Sequence, residues 1–175
     1  MKKITFFLLL ICLAGLATAQ SDKKNQKIIE DSEEAKAAFL KDDPSLEKLF
    51  VSSYGYIILP NVGKGGLGVG GASGNGIAVE QGERIGFARM TQVTIGFQAG
   101  GQAYSELVFF ENKEAFERFK SNKIEMSAQV SAVAAAAGVS ADAKYVDGVM
   151  VFTRTKGGLM YEASVGGQQF KFTEN

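Results

Sequence analysis

Two lysines set among glycines are the residues best placed to do chemistry in this chain. Lys64 lies in Tyr56-Ile57-Ile58-Leu59-Pro60-Asn61-Val62-Gly63-Lys64-Gly65-Gly66-Leu67, and the tetrad Lys64-Gly65-Gly66-Leu67 returns as Lys156-Gly157-Gly158-Leu159. A glycine turn can expose successive backbone N–H groups, which form a concave nest for an anion, and a lysine adds charge to it. A phosphate group fits such a nest. The plainer alternative is a solvated turn lysine beside glycines that supply positive φ. Arg154, two residues before Lys156, shares its strand face and would add charge. The candidate site is therefore Lys64, Gly65, Gly66, Arg154, Lys156, Gly157 and Gly158, with the two turns expected near each other on one rim.

Other chemistries lack their residues. The chain has no histidine and one cysteine, Cys12, so a Ser-His-Asp triad and a zinc site are not expected. Cys12 lies in a segment that should be removed, which leaves no thiol nucleophile. Aspartates and glutamates are scattered without a pairing that the sequence can show. Gly66 to Gly71 fits G-x-G-x-x-G, but that fingerprint needs a helix to start there, and a strand follows. Gly63-Lys64 resembles the end of a phosphate-binding loop, yet Ile58 stands at the first glycine position and Gly65 replaces the Ser/Thr. Ser45-Leu46-Glu47-Lys48 fits S-x-x-K, with Lys156-Gly157 as a faint later partner, but no S-D-N element lies between them. The expectation is a non-catalytic protein without metal or cofactor.

The 175 residues fit one domain. Residues 1–19 read as a cleavable signal peptide: Lys2 and Lys3, an apolar run from Ile4 to Leu16, then Ala17-Thr18-Ala19 as the cleavage site. Export to the periplasm or beyond follows from it. Removing Lys2 and Lys3 leaves 17 basic residues against 19 acidic ones, a net charge of −2. That argues against nucleic acid as a partner, which needs a basic face.

Residues 20–26 are polar and expected to be disordered, and 27–175 should form the domain. Lys27 to Lys41 carries an apolar stripe of Ile28, Ile29, Ala35, Phe39 and Leu40 at helical spacing. Asp42-Asp43-Pro44 ends this helix and opens a second with Leu46, Leu49 and Phe50. Both helices should pack on a sheet. From Tyr54 the period changes to two. Ser73-Gly74-Asn75-Gly76 reads as a tight turn, Gln81-Gly82-Glu83 as another. Val93, Ile95, Phe97 and Ala99 should be buried, with Gln92, Thr94, Gly96 and Gln98 on the opposite face. Asn112 should cap a short helix to Lys120 that turns Phe116 and Phe119 inward. Ile124 to Val130 alternates as a strand. Tyr145–Thr155 and Leu159–Val165 should form a hairpin around Lys156-Gly157-Gly158, with a bulge after Gly166-Gly167. The class is α+β: N-terminal helices, then a mostly antiparallel sheet with one inserted helix.

Several stretches together resemble the SYLF domain family. They are Gly55-Tyr56-Ile57-Ile58-Leu59-Pro60 with Lys64-Gly65-Gly66, then Val93-Thr94-Ile95-Gly96-Phe97-Gln98-Ala99-Gly100-Gly101-Gln102, then Ser127 to Gly138. The closing run is Thr155-Lys156-Gly157-Gly158-Leu159-Met160-Tyr161-Glu162-Ala163-Ser164-Val165-Gly166-Gly167. Their order spans about Ser45 to Phe172. The resemblance implies a lipid-binding, non-catalytic module. Eukaryotic relatives bind phosphoinositides and some bind actin, whereas bacterial relatives are exported single-domain lipid binders. The export signal argues against actin here, and acidic Glu30, Asp31, Glu33 and Glu34 depart from a basic phosphoinositide-binding helix. The expected partner is a lipid or membrane surface with anionic headgroups at the Lys-Gly-Gly turns. Leu67, Leu159 and Met160 are the candidates for acyl-chain contact. The alternative is a structural or envelope-assembly protein that binds another protein through a sheet edge or the glycine-rich face.

Overall fold

Apolar stripes at helical spacing decide where the helices lie. The computed structural model describes residues 2–67, 69–95, 100–122, 131–134, 143–156, 163–164 and 167–175. Helices α1 (Lys2–Asp42), α2 (Leu46–Ser52) and α3 (Lys113–Lys120) accompany eight strands: β1 (Gly55–Leu67), β2 (Val69–Glu80), β3 (Glu83–Ile95), β4 (Gly100–Phe110), β5 (Ser131–Ala134), β6 (Val149–Thr155), β7 (Ala163–Ser164) and β8 (Gln168–Glu174). They form one sheet in the order β7-β5-β6-β4-β1-β2-β3-β8. Every pairing is antiparallel except β5 with β6, so the class is α+β as expected.

The outer face of the sheet receives α1 and α2. Ala35, Phe39 and Leu46 are buried there against Tyr56, Ile58, Ile77, Val79, Leu107, Phe109, Met150 and Phe152, with Ile28, Ile29, Leu40, Leu49 and Phe50 packed at the margin. The expected helical stripes are thus core. However, α1 runs unbroken through Gln20–Gln26, the stretch expected to be disordered. No glycine or proline interrupts residues 20–41. Gln26 Nε2 to Glu30 Oε1 and Lys27 Nζ to Asp31 Oδ1, each 3.0 Å, tie successive turns. Among the described residues no helix is long and apolar enough to cross a membrane.

The inner face receives α3. Asn112 caps it, its side chain accepting from the Ala115 N–H at 3.0 Å. Phe119 lies 5.5 Å from the Phe110 ring of β4, and 6.3 and 5.5 Å from Phe170 and Phe172 of β8. In the sheet β4 and β8 are separated by three strands. One helix can touch both only because the sheet curls, bringing its ends toward each other around an apolar interior.

Several turns expected from glycine are strand interior. Ser73-Gly74-Asn75-Gly76 belongs to the continuous β2, and the β1–β2 reversal falls between Leu67 and Val69. The reason is a bulge. Ile58 pairs with Ile77 and Asn61 with Asn75, so Leu59 and Pro60 together oppose Gly76. Pro60 has no N–H to give the ladder and is tolerated at such a site. Its carbonyl accepts from the Ser105 hydroxyl at 2.9 Å. A Cβ on Gly76 would overlap the Ile58 carbonyl oxygen, so glycine is there for close approach. The expected turn at Gln81-Gly82 is present, with φ of 50° and 87°.

Three further expectations change. Val93 is 75% exposed whereas Gln92 is 3% exposed. Ala88, Met90 and Gln92 form the inward row of β3, opposite Phe172, Phe170 and Gln168 of β8. The side chain of Ile95, with Phe97 and Ala99, lies outside the described residues. Second, β6 and β7 do not form a hairpin, because β5 lies between them. Third, the bulge expected after Gly166-Gly167 is a change of edge. Gly167 adopts φ of 76°, and β8 joins β3 at the edge opposite β7. The strand expected over Ile124–Val130 lies outside the described residues.

Candidate functional site

The bulge at Leu59–Pro60 shifts the phase of β1 and turns Asn61 toward α1. Its Nδ2 donates to Asp31 Oδ2 at 3.1 Å, and its Oδ1 accepts from Lys156 Nζ at 2.5 Å. On β6, Phe152 is buried under α1, so alternation sends Arg154 and Lys156 to the same face. Arg154 Nε meets Asp42 Oδ2 at 2.6 Å. Between α1 and the sheet lies a cleft of about 460 Å³ lined by Lys27, Asp31, Glu34, Asn61, Arg154 and Lys156, among others. Asp31 pairs with Lys27 and holds that ammonium above its ordinary pKa, chiefly through their hydrogen bond. Lys27 and Arg154 therefore have carboxylate partners, while Lys156 is held by a neutral amide. Lys156 is the cation of this cleft most available to an incoming anion.

Lys64 is placed differently. Gly63 pairs with Ala103, and the Lys156 N–H donates to the Ala103 carbonyl at 3.1 Å. The two Lys-Gly-Gly copies thus begin at the same end of the sheet, flanking β4, about 10 Å apart at two strand spacings. Their side chains part company. Val62 belongs to the inner core, and Lys64, two residues on in regular register with Ala72 and Gln102, shares that inner face. Lys156 faces α1. Among the described residues the two lysines therefore stand on opposite faces of the sheet. Gly65 and Gly66 are not turn residues either: they pair with Gly71 and Gly70 on one side and Gly101 and Gly100 on the other. A central strand spends its N–H groups on its neighbours, which removes the expected anion nest at Lys64. The Leu67 side chain, Gly157, Gly158, Leu159 and Met160 lie outside the described residues.

A polar group inside the curl was missed on sequence. Gln168 of β8 and Glu106 of β4 are fully buried, with Gln92, Tyr104 and Thr153 also buried. Gln168 Nε2 donates to Glu106 Oε2 at 2.9 Å. Burial pushes the Glu106 carboxyl up to about 7, against a smaller lowering by the Gln168 hydrogen bond. Burial and the nearby Glu106 also raise the Tyr104 phenol. The available signal was one acidic residue within Tyr104–Phe110, at an inward position between Tyr104 and Val108.

Residues 91–175 match the family Ysc84, described as Las17-binding protein actin regulator. That match is to the SYLF domain, in line with the resemblance read from the sequence. SYLF modules are lipid-binding or actin-related and generally not enzymes. The chain is also 27% identical over 131 residues to "Beta cell expansion factor A" of Aeromonas veronii, covering 74% of this chain and 49% of that protein. The chain therefore spans about half the length of that curated relative. The matched segment contains Arg154, Lys156, Glu106 and Gln168. Lys64, Asn61 and the α1 wall of the cleft lie before it.

Proposed function

We propose that this protein is a non-catalytic lipid-binding module that is exported and works at the cell envelope, taking anionic headgroups at the Lys156 end of the cleft beside α1. The observation that carries this reading is Lys156, an exposed cation on a neutral amide partner at the mouth of a cleft of about 460 Å³ that also holds Arg154. The first Lys-Gly-Gly copy is read as sheet structure, with Lys64 on the other face. Headgroup phosphate would displace Asn61 from Lys156 and gain a charge-assisted bond. Residues 157–160 follow directly and are where acyl contact by Leu159 and Met160 is proposed.

Co-sedimentation with phosphatidylglycerol and phosphatidylcholine vesicles tests this. Lys156→Ala should weaken binding to the anionic vesicles and leave the neutral ones unaffected, while Lys64→Ala should change neither. Equal losses in both variants, or none in Lys156→Ala, would reject the site. The envelope-assembly reading rests on β8, an edge strand paired only with β3 among the described residues, beside the exposed Val93. It predicts no vesicle binding by the wild-type protein.

A further inference from the structure

Glu106 presents an accounting problem. It is fully buried, and the hydrogen bond it accepts from Gln168 Nε2 at 2.9 Å uses Oε2. Among the described residues Glu106 Oε1 and Gln168 Oε1 are both buried and without a partner. A buried carboxylate with a single neutral donor is a costly arrangement, and so is an orphaned amide oxygen. One proton resolves both. A carboxylic acid and a primary amide are reciprocal: the amide N–H gives to one acid oxygen, and the acid O–H gives to the amide oxygen. The first of these bonds is present, and Glu106 Oε1 and Gln168 Oε1 are the atoms the second would join.

We infer that Glu106 is protonated in the folded protein and forms with Gln168 a reciprocal acid–amide pair that fastens the C-terminal strand β8 to β4 across the curl of the sheet, a closure that loosens when the carboxyl ionises. The position gives the pair this role. Among the described residues strand β8 is paired along its length only with β3, and β4 lies three strands further in. The pair therefore spans the open side of the curl, at the end where α3 and its Phe119 contacts do not reach. Burial opposes the charged form, in agreement with this geometry.

The surroundings offer no compensating cation among the described residues. On its own strand Tyr104 is the nearby ionisable group, and burial before all else raises its phenol. Facing it are Leu59 of β1, Thr153 of β6 and Gln168 of β8, all uncharged. Gln92 of β3 is the register partner of Gln168. Lys64 of β1 lies on the same inner face, further toward the glycine-rich end. On α3, Lys120 pairs with Glu80 and Glu117 and Arg118 gives to the Asp147 carbonyl, while Lys113 and Glu114 are exposed.

Hydrogen exchange of the β8 amides, corrected for the intrinsic pH dependence of exchange, reads the closure directly. In the wild type the opening equilibrium should rise by up to about tenfold per pH unit between 4.5 and 7 and then level off, as expected for one proton held only in the closed state. Glu106→Gln cannot ionise, and its β8 opening should be flat over that range. The Glu106 carboxyl carbon, followed by NMR in the wild type, should titrate near neutrality, which requires no variant. The inference is overturned if the carboxyl titrates at an ordinary glutamate value, or if wild type and Glu106→Gln share the same pH response. It is also overturned if the response appears only with a divalent cation, which would put a metal on those oxygens.

Discussion

Replacing Gly76 by alanine separates two meanings of glycine in the same four residues. In a surface turn, Gly→Ala at an ordinary φ changes stability by at most about 1 kcal/mol and often raises it. In β2 the new Cβ would overlap the Ile58 carbonyl oxygen and lie 2.7 Å from the Ile58 carbonyl carbon and 2.9 Å from Leu59 Cα. All three atoms are backbone of the central strand β1, so no side-chain rotation relieves the clash. The strands must separate at the bulge by well over an ångström to reach ordinary contact. Overpacking of this kind costs about 1–3 kcal/mol. Weakening about two flanking ladder bonds adds roughly 1–2 kcal/mol. The expected loss is therefore about 2–5 kcal/mol, a large part of the ~5–15 kcal/mol that a domain has. With a urea m-value of about 2 kcal/mol/M, the midpoint should fall by roughly 1–2.5 M. Urea unfolding followed by far-ultraviolet circular dichroism measures this. Gly63→Ala is the control, since its Cβ meets nothing within 4 Å. If Gly76→Ala loses less than about 1 kcal/mol and matches the control, the close-approach argument fails.

Three other outcomes are expected. Above pH 4.5 the unfolded Glu106 loses a proton that the folded one keeps until about 7, so stability should fall as pH rises between those values and level off above them. The gap corresponds to about 3 kcal/mol, and Glu106→Gln should flatten the profile of urea midpoint against pH. Binding to anionic vesicles should weaken with added salt, because an exposed cation is screened over about 8–10 Å, and a salt-independent isotherm would contradict a Lys156 contact. Asn112→Ala removes the cap on α3 and should cost about 1 kcal/mol in the same urea assay, with Asn112→Asp restoring most of it.

What the sequence by itself determined is what depends on neighbours along the chain. The stripe of Ala35 and Phe39, the pair Phe116 and Phe119, the Asn112 cap and the Gln81-Gly82 turn are local, and periodicity or capping chemistry states them completely. The α+β class follows from the change of period near Tyr54. The SYLF stretches were legible because they are runs of residue types. Arg154 and Lys156 share a face for the same reason, two residues apart in one regular strand.

Tertiary structure decided everything that turns on a partner strand. Gly74 and Gly76 look like a turn because a turn and a close backbone approach select the same residue, and only the bulge opposite them tells which applies. That bulge also shifts the phase of β1, which is why Asn61 faces α1 and Lys64 faces inward. Val93 and Gln92 exchanged places because the inner face near β8 is polar, built from Glu106 and Gln168, which are distant in the chain. The lysines of the two Lys-Gly-Gly-Leu copies take different faces because Lys64 is paired on both sides in mid-sheet after the bulge, while Lys156 follows the end of β6. A sequence repeat carries side-chain chemistry, but the face each side chain takes and the pairing of each N–H are set by register. Register is a property of two strands at once.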